Sequence, residues 1–461
     1  MVWTSEEAAI ASKGEVFSSW RGGKLVFDSR LIEEGDIFLA LPGASFDGHD
    51  YVSAAFNKGA AAAIVSRIPT DIPNKDKLLV VKDVLTALSD MAIYKRHRSK
   101  AKFIAVTGSV GKTSTKELLN LVFSVHGKTF SSRGNYNNFL GVPINLASMP
   151  NDIEYAIFEI GMDHAGEIIP LTNLVQPHIA MITGIEKIHS ANFSSIEGIA
   201  EAKAEIFQGL LPEGLAIINS LSNCYSSLYK IASDTSNVSK IINIGVDSAI
   251  SSYEIINNKT KAKLDILGQD ILINIDSILG SHQIHNMVAV LSSIAYLGLS
   301  VHESARALES FKLARGRGLV SSVDVCGKMI TLIDDSYNAG PISVSAALKT
   351  MSYYSGRKIA ILGDMVDMGP ESLELHLACR EDIIANNIDK VICFGVEMQK
   401  LHESLSREKQ YGSYLNLKDL AKDLPDKLLP GDILLIKGSL YINNLYGFAK
   451  HLSDGTLHLQ K

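Results

Sequence analysis

Cysteine is scarce: four residues in 461, Cys224, Cys326, Cys379 and Cys393, with no C-x-x-C pair among them. That absence takes away zinc-ribbon and dithiol redox chemistry and leaves the reduced thiols of a cytosolic protein. A basic excess is missing too, since 44 Lys and Arg face 50 Asp and Glu for a net charge of −6. General nucleic-acid binders need positive surface to neutralise phosphates, so no nucleic-acid partner is expected. The basic stretch K-R-H-R-S-K at 95–100 is the local exception, and it reads as a solvated linker. No apolar run approaches the ~20 residues that cross a bilayer. The start M-V-W-T-S-E-E lacks the basic and apolar halves of a signal peptide. The expectation is therefore a cytoplasmic monomer with no membrane partner. Internal repeats and low-complexity segments are absent as well.

What remains is a composition of 46% hydrophobic and 20% charged residues, suited to real cores. The length accommodates about three domains of ~150 residues. Residues 1–98 mix short strands and helices: 35–43 reads as a strand ending in a turn, and 51–66 as a helix, a stop at Gly59 and another strand. Residues 99–313 carry strand-like stretches at 103–106, 155–160, 179–183 and 215–219 with helical patterns between them, as parallel βαβ units do. Within this part 251–279 alternates like an antiparallel hairpin, and a helix from 282 to 297 closes it. Residues 314–461 open on A-R-G-R-G and place strands at 329–334, 358–363, 390–395 and 432–438. No G-x-G-x-x-G follows any of these strands, so a dinucleotide cofactor is not indicated. The fold class is α/β in three domains: a small α/β N-terminal domain, a central P-loop ATPase domain with a mainly parallel sheet, and a C-terminal Rossmann-like doubly wound domain.

The chemistry gathers around I-A-V-T-G-S-V-G-K-T-S-T at 104–115. It departs from G-x-x-x-x-G-K-[ST] because Val106 stands where the first glycine belongs. A buried strand nevertheless leads into Gly108 and Gly111, whose missing Cβ permits close backbone approach, and a helix follows. Thr107, Gly108, Ser109, Val110, Gly111, Lys112, Thr113 and Ser114 form a phosphate cradle on this reading. Lys112 serves the terminal phosphates, and Thr113 a magnesium ion. Glu159 stands near the carboxyl end of an apolar strand, where a glutamate needs a partner or a metal. His189 leaves the next strand as either a loop histidine or a ligand. Lys203 lies on an amphipathic helix with Ile199, Ile206 and Phe207, and by pattern alone is a surface lysine. His282 and Asn286, four apart, face one way and serve equally as capping groups or ligand contacts.

Together these segments resemble the Mur ligases, the ATP-dependent amide ligases that build the peptidoglycan precursor. T-G-S-V-G-K-T-S-T-K-E (107–117), N-N-F-L-G-V-P (137–143), F-E-I-G-M-D-H-A-G-E-I (158–168), A-K-A-E-I-F (202–207) and G-S-H-Q-I-H-N (280–286) occur in the family's order. D-S-R-L-I-E-E-G-D-I-F-L-A-L-P-G-A-S-F-D-G-H-D (28–50), D-D-S-Y-N-A-G-P (334–341) and I-L-G-D-M-V-D-M-G (361–369) look like the branch that adds D-alanyl-D-alanine to UDP-N-acetylmuramoyl-tripeptide. The resemblance implies ATP, Mg2+ and an acyl-phosphate route. It implies that Thr113 and Glu159 hold one magnesium, and that His189 and a carbamylated Lys203 hold a second, making Lys112, Glu159, His189 and Lys203 the catalytic set. Asn286, with its neighbour His282, matches an adenine contact, Asp335 a ribose contact, and Arg317 an arginine that reaches the phosphates from the third domain. That last role requires the third domain to close on the second. Ser29, Arg30, Asp47, Gly48 and His49 match the uridine-nucleotide end, and Asn137 and Asn138 the sugar and diphosphate. Tyr337, Asn338 and Lys437 complete the substrate set. Two positions depart from the family: Gly340 replaces a common asparagine and Leu440 a usual arginine. A folylpolyglutamate ligase is the alternative within the family, and a non-catalytic nucleotide switch the alternative outside it.

Overall fold

The computed structural model describes residues 2–43, 46–72, 74–186, 192–193 and 195–456. Three main sheets follow one another along the chain. The first has five strands, in the order 15–16, 78–80, 62–65, 37–39 and 25–26. The second has nine, in the order 269–275, 259–266, 248–256, 238–244, 214–219, 179–182, 102–107, 155–159 and 129–131. Its pairing is parallel from 248–256 to the 129–131 edge and antiparallel at the other end. The third has six, in the order 319–325, 328–335, 433–437, 358–363, 390–394 and 410–414, antiparallel only in its first pair.

The central strands are apolar almost throughout because helices cover both faces. Lys102–Thr107 is buried from Phe103 onward, and all of Ile179–Ile182 is buried. The chain leaves Lys102–Thr107 for the edge strand Thr129–Ser131, returns to Tyr155–Glu159 beside the first strand, and then crosses to Ile179–Ile182 on the other side. Such a reversal opens a crevice at the carboxyl ends of the strands. Residues 108–111, the end of Tyr155–Glu159 and residues 183–186 therefore meet at one edge.

One apolar core runs from the first sheet into the second, joining Trp3, Leu25 and Ile37 to Phe103, Phe158 and Phe207. The Trp3 indole donates to Ala147 O at 2.7 Å across this boundary. The third sheet has a core of its own, and Ile278 of the central part inserts into it beside Val344, Leu348 and Met351.

Three readings change. The basic run at 95–100 is no solvated linker: its first four residues form the last turn of the helix Val84–Arg98, and Lys95 and Arg96 are buried. Lys95 Nζ donates to Val2 O at 2.6 Å and lies 4.5 Å from the Trp3 ring centre. The Arg96 guanidinium stacks 4.0 Å from the centre of Phe103 and donates to Val175 O at 2.5 Å and Gln176 O at 2.7 Å. Arg96 through these contacts, and Lys95 through a further bond to Asn151, join the first unit to the second. Next, the hairpin expected at 251–279 is a three-stranded meander, 248–256, 259–266 and 269–275. Last, Lys203 is buried, at 1% exposure, and not a surface lysine. The amphipathic spacing located the helix face, but another layer of protein covers that lysine.

Replacing Arg96 with Ala strands the buried Val175 carbonyl and the half-buried Gln176 carbonyl and removes the stacked cation. The expected loss is about 2–4 kcal/mol of stability by denaturant unfolding, against about 0.5 kcal/mol or less for the exposed neighbour in His97→Ala.

Candidate active site

Glycine geometry shapes the loop after Lys102–Thr107. Gly108 takes φ +152°, and a Cβ there would meet Thr183 Oγ1 at 2.0 Å. Gly111 takes φ +83° as the N-cap of the helix Lys112–Phe123. Thr183 closes the loop from the next strand, its hydroxyl donating to Val110 O at 2.5 Å. Ser109 N donates to Gly184 O at 2.7 Å, and Ser109 Oγ to Glu186 O at 3.1 Å. Lys112 Nζ folds back onto Gly108 O at 2.6 Å. With these carbonyls tied off, the first amides of the helix are left for an anion.

The loop opens on a cavity of about 630 Å³ shared by the central and third parts. Ser109 through Ser114, Asn137, Asn138, Glu159, His282 and Asn286 line it from one side, and Arg317, Asp335, Tyr337, Asn338 and Lys437 from the other. Thr107 lies buried beneath, at the strand end. The two sides already touch: an Arg317 guanidinium nitrogen lies 3.3 Å from Thr113 Oγ1, and its carbon 4.0 Å from the Tyr337 ring centre. Gly316 N donates to Asp334 Oδ2 at 3.0 Å, which fixes the segment carrying Arg317. Asp335 and Lys437 are register partners in adjacent parallel strands and pair at 2.9 Å. Lys437 also donates to Asn338 O at 2.6 Å.

Glu159 is 2% exposed. Its Oε1 accepts from Asn137 Nδ2 at 2.8 Å, while Oε2 has no hydrogen-bond partner among the described residues. Lys116 Nζ stands 4.0 Å from Oε2, too long for a close pair. A buried carboxylate held by one oxygen and bare at the other suits a divalent cation, as does the Thr113 hydroxyl on the same cavity wall. No cluster of three or more His, Cys, Asp or Glu assembles among the described residues. Lys203 is not in the cavity lining but buried at the end of the helix Ile196–Ala204. Burial pushes its amine well below the usual lysine range, and the Lys112 charge adds to this while Asp163 opposes it. Burial also lowers Lys112, with Glu159 opposing. His282 lines the cavity, and desolvation there with Lys437 and His285 nearby pushes it down to about 4, which favours the neutral imidazole. His189 lies outside the described residues.

The remaining expected residues stand in the first unit. Ser29 and Arg30 begin a short turn of helix capped by Asp28, and Arg30 pairs with that aspartate at 2.7 Å. Asp47 precedes Gly48 in a second such turn and accepts from His49 Nδ1 at 2.6 Å and from Arg67 at 2.9 Å. The His49 amide, which donates to it at 2.9 Å, and then these two side chains hold its carboxyl well below the usual range. His49 is 2% exposed and its Nε2 accepts from Ser66 N at 2.9 Å, so both ring nitrogens are engaged within the unit. Asn138 Oδ1 accepts from Gly141 N at 2.9 Å at the start of the helix Gly141–Ala147. The departure at Gly340 falls at the N-cap of the helix Pro341–Ser352, where Ser343 Oγ accepts from the Gly340 amide at 3.0 Å.

Sequence reasoning passed over Glu186, which lines the cavity at 3% exposure. The signal was present: like Glu159, it follows the end of an apolar strand.

Three family models match in order: "Mur ligase family, catalytic domain" at 24–96, "Mur ligase middle domain" at 106–294 and "Mur ligase, glutamate ligase domain" at 322–440. A UDP-N-acetylmuramoyl-tripeptide--D-alanyl-D-alanine ligase of Rickettsia prowazekii is 38% identical over 95% of this chain and 97% of that protein. The crystal structure of MurF from Acinetobacter baumannii is similar with a TM-score of 0.83 at 28% identity, covering 99% of both chains. The MurF ligase of Thermotoga maritima in complex with ADP is similar with a TM-score of 0.77 at 25% identity, covering 95% of this chain and 99% of that one. With three domain models in sequence order and similarity along nearly its whole length, the chain belongs to the Mur ligase family.

Proposed function

We propose that the protein joins D-alanyl-D-alanine to UDP-N-acetylmuramoyl-tripeptide, with ATP converted to ADP and phosphate through an acyl phosphate. The observation that carries this reading is the cavity in which Lys112 of the phosphate loop meets Arg317 and Lys437 of the third sheet, opposite the half-bare carboxylate of Glu159. Transfer from ATP to a carboxylate brings two anions together, and cations from two directions lower that barrier. The full-length similarity to D-alanyl-D-alanine-adding relatives favours this substrate pair over a folate ligase.

In this reading residues 1–98 receive the uridine nucleotide, 99–313 hold ATP and 314–461 close over it. The first-unit turns at 28–30 and 47–49 hold the uridine end, and Asn137 and Asn138 lie on the path toward the phosphate loop. Neutral His282 and Asn286 face the adenine, Asp335 the ribose, and Tyr337 and Asn338 the dipeptide side. A carboxylate oxygen of the tripeptide attacks the terminal phosphorus while Lys112 and Arg317 balance the moving charge. The incoming amine then displaces phosphate from the acyl carbon. Thr113 and Glu159 would hold one magnesium ion, and His189 with carbamylated Lys203 a second; when bound, such ions screen phosphate and carboxylate charge. The buried amine of Lys203 supports the carbamate: in its neutral form it can add to carbon dioxide, releasing a proton and leaving an anion. No helix among the described residues is long and apolar enough to cross a membrane, which suits a cytoplasmic enzyme working on soluble nucleotides.

Phosphate release should require UDP-tripeptide and D-alanyl-D-alanine together; release indifferent to both would mark a nucleotide switch instead. Lys112→Ala is expected to cut ligation by about 100-fold or more with its melting profile unchanged. Near-normal turnover would remove the phosphate loop from the mechanism.

Gly108→Ala forces a Cβ against Thr183 and strains the loop. ATP affinity by calorimetry should fall about 10- to 100-fold.

Lys203→Ala should reduce activity by about two orders of magnitude, with partial rescue by acetate or formate occupying the vacated space. Arginine at this position stays cationic and forms no carbamate, so Lys203→Arg should not rescue. Strong activity in Lys203→Arg would exclude the carbamate.

A further inference from the structure

A carboxylate beside a phosphate loop works against phosphoryl transfer unless it serves a cation. Glu186 is such a group. Its backbone is sewn to the loop, with its carbonyl accepting from Ser109 Oγ at 3.1 Å two residues after Gly184 takes the Ser109 amide. Its side chain is 3% exposed, lines the cavity, and has an Oε2 with no hydrogen-bond partner among the described residues. Burial pushes its carboxyl up to about 7, against the pull of Lys437 from the third domain and Lys112 from the loop. Thus Glu186 stands on the cavity wall at the phosphate loop, where the charges of both Lys437 and Lys112 act on it. Neither Asn137 nor Lys116, the groups nearest Glu159, is in hydrogen-bond contact with it.

We propose that Glu186 receives the ammonium group of the incoming dipeptide and takes its first proton. The inference rests on the D-alanyl-D-alanine ligase reading, in which ATP is anionic and the reacting cation is this ammonium. A side-chain amine on the third residue of the tripeptide is the other possible guest, but the place of Glu186 at the phosphate loop favours the reacting nitrogen. The step balances without a further reagent. Glu186 removes one proton from the ammonium, and the freed lone pair forms the N–C bond at the acyl carbon. The C–O bond to phosphate breaks with its electron pair leaving on that oxygen. The second nitrogen proton passes to the departing phosphate, giving amide and hydrogen phosphate. Glu186 then returns its proton to water. A neutral carboxyl before the dipeptide arrives would spare ATP an extra repulsion, and the arriving ammonium would draw it into the charged form.

The test separates the two half-reactions of Glu186→Gln, which keeps shape and removes charge. Hydroxylamine, largely uncharged near neutral pH, traps an acyl phosphate as a hydroxamate without needing an ammonium site. With ATP, UDP-tripeptide and hydroxylamine, Glu186→Gln should form hydroxamate at close to the wild-type rate. With D-alanyl-D-alanine instead, its KM for the dipeptide should rise about 10- to 100-fold, the loss of one charge-assisted contact, while KM for UDP-tripeptide stays put. Glu186→Asp, which keeps the charge, should recover part of the dipeptide affinity. An unchanged dipeptide KM overturns the proposal. So does a rise confined to UDP-tripeptide, or loss of hydroxamate together with ligation. Wild-type enzyme that forms no hydroxamate and no ligated product would fail before Glu186 enters, and that result would sink the ligase reading itself.

Discussion

Arg317 reaches from the third sheet to the hydroxyl of Thr113 in the phosphate loop, and the chemistry of the molecule hangs on that 3.3 Å contact. A phosphate loop alone binds a nucleotide. Making an acyl phosphate also demands that one anion be pressed against another, which water-exposed lysines on a single domain do poorly. The cations must come from opposite sides and close over the reacting groups. The fold meets this demand in two ways. The strand reversal around Lys102–Thr107 collects the loop, Glu159 and Thr183 at one crevice, and the register of Asp335 with Lys437 sets the facing charges of the third domain.

Burial is the second theme, because it decides which protonation states are within reach. Lys203, Lys112, Glu186 and His282 are all shifted toward their neutral forms by desolvation. For Lys203, Glu186 and His282 the neutral form has a use: an amine open to carbon dioxide, a carboxyl that tolerates nearby phosphate, an imidazole that does not compete with the lysines. Lys112 is needed as a cation, and phosphate beside it would restore its charge. Glu159 is held differently, with one oxygen bonded to Asn137 and the other bare. An acid fixed at one oxygen offers the second in a set direction, as a metal ligand should.

The phosphate loop was legible from sequence because its demands are local: positive φ at Gly108 and Gly111, a strand before and a helix after. The alternation of apolar strands and helices carried the three-part α/β architecture for the same reason. What stayed hidden depends on layers distant in the chain. Helical spacing at Lys203 identifies a face but not the protein that covers it. The run at 95–100 looked solvated because its partners, Val2, Trp3, Val175 and Gln176, are far away in sequence. Short edge strands such as Thr129–Ser131 and Gln410–Tyr414 carry too little apolar pattern to stand out. Glu186 was passed over because the histidine three residues later drew the attention due to that strand end.

The central claim, that ATP activates the terminal carboxylate of the nucleotide-linked peptide, is open to one direct measurement. UDP-tripeptide carrying isotopically heavy oxygen in that carboxylate is ligated to D-alanyl-D-alanine, and the inorganic phosphate is analysed by mass spectrometry. An acyl-phosphate route carries one heavy oxygen into each phosphate released. Amide product accompanied by unlabelled phosphate would contradict it.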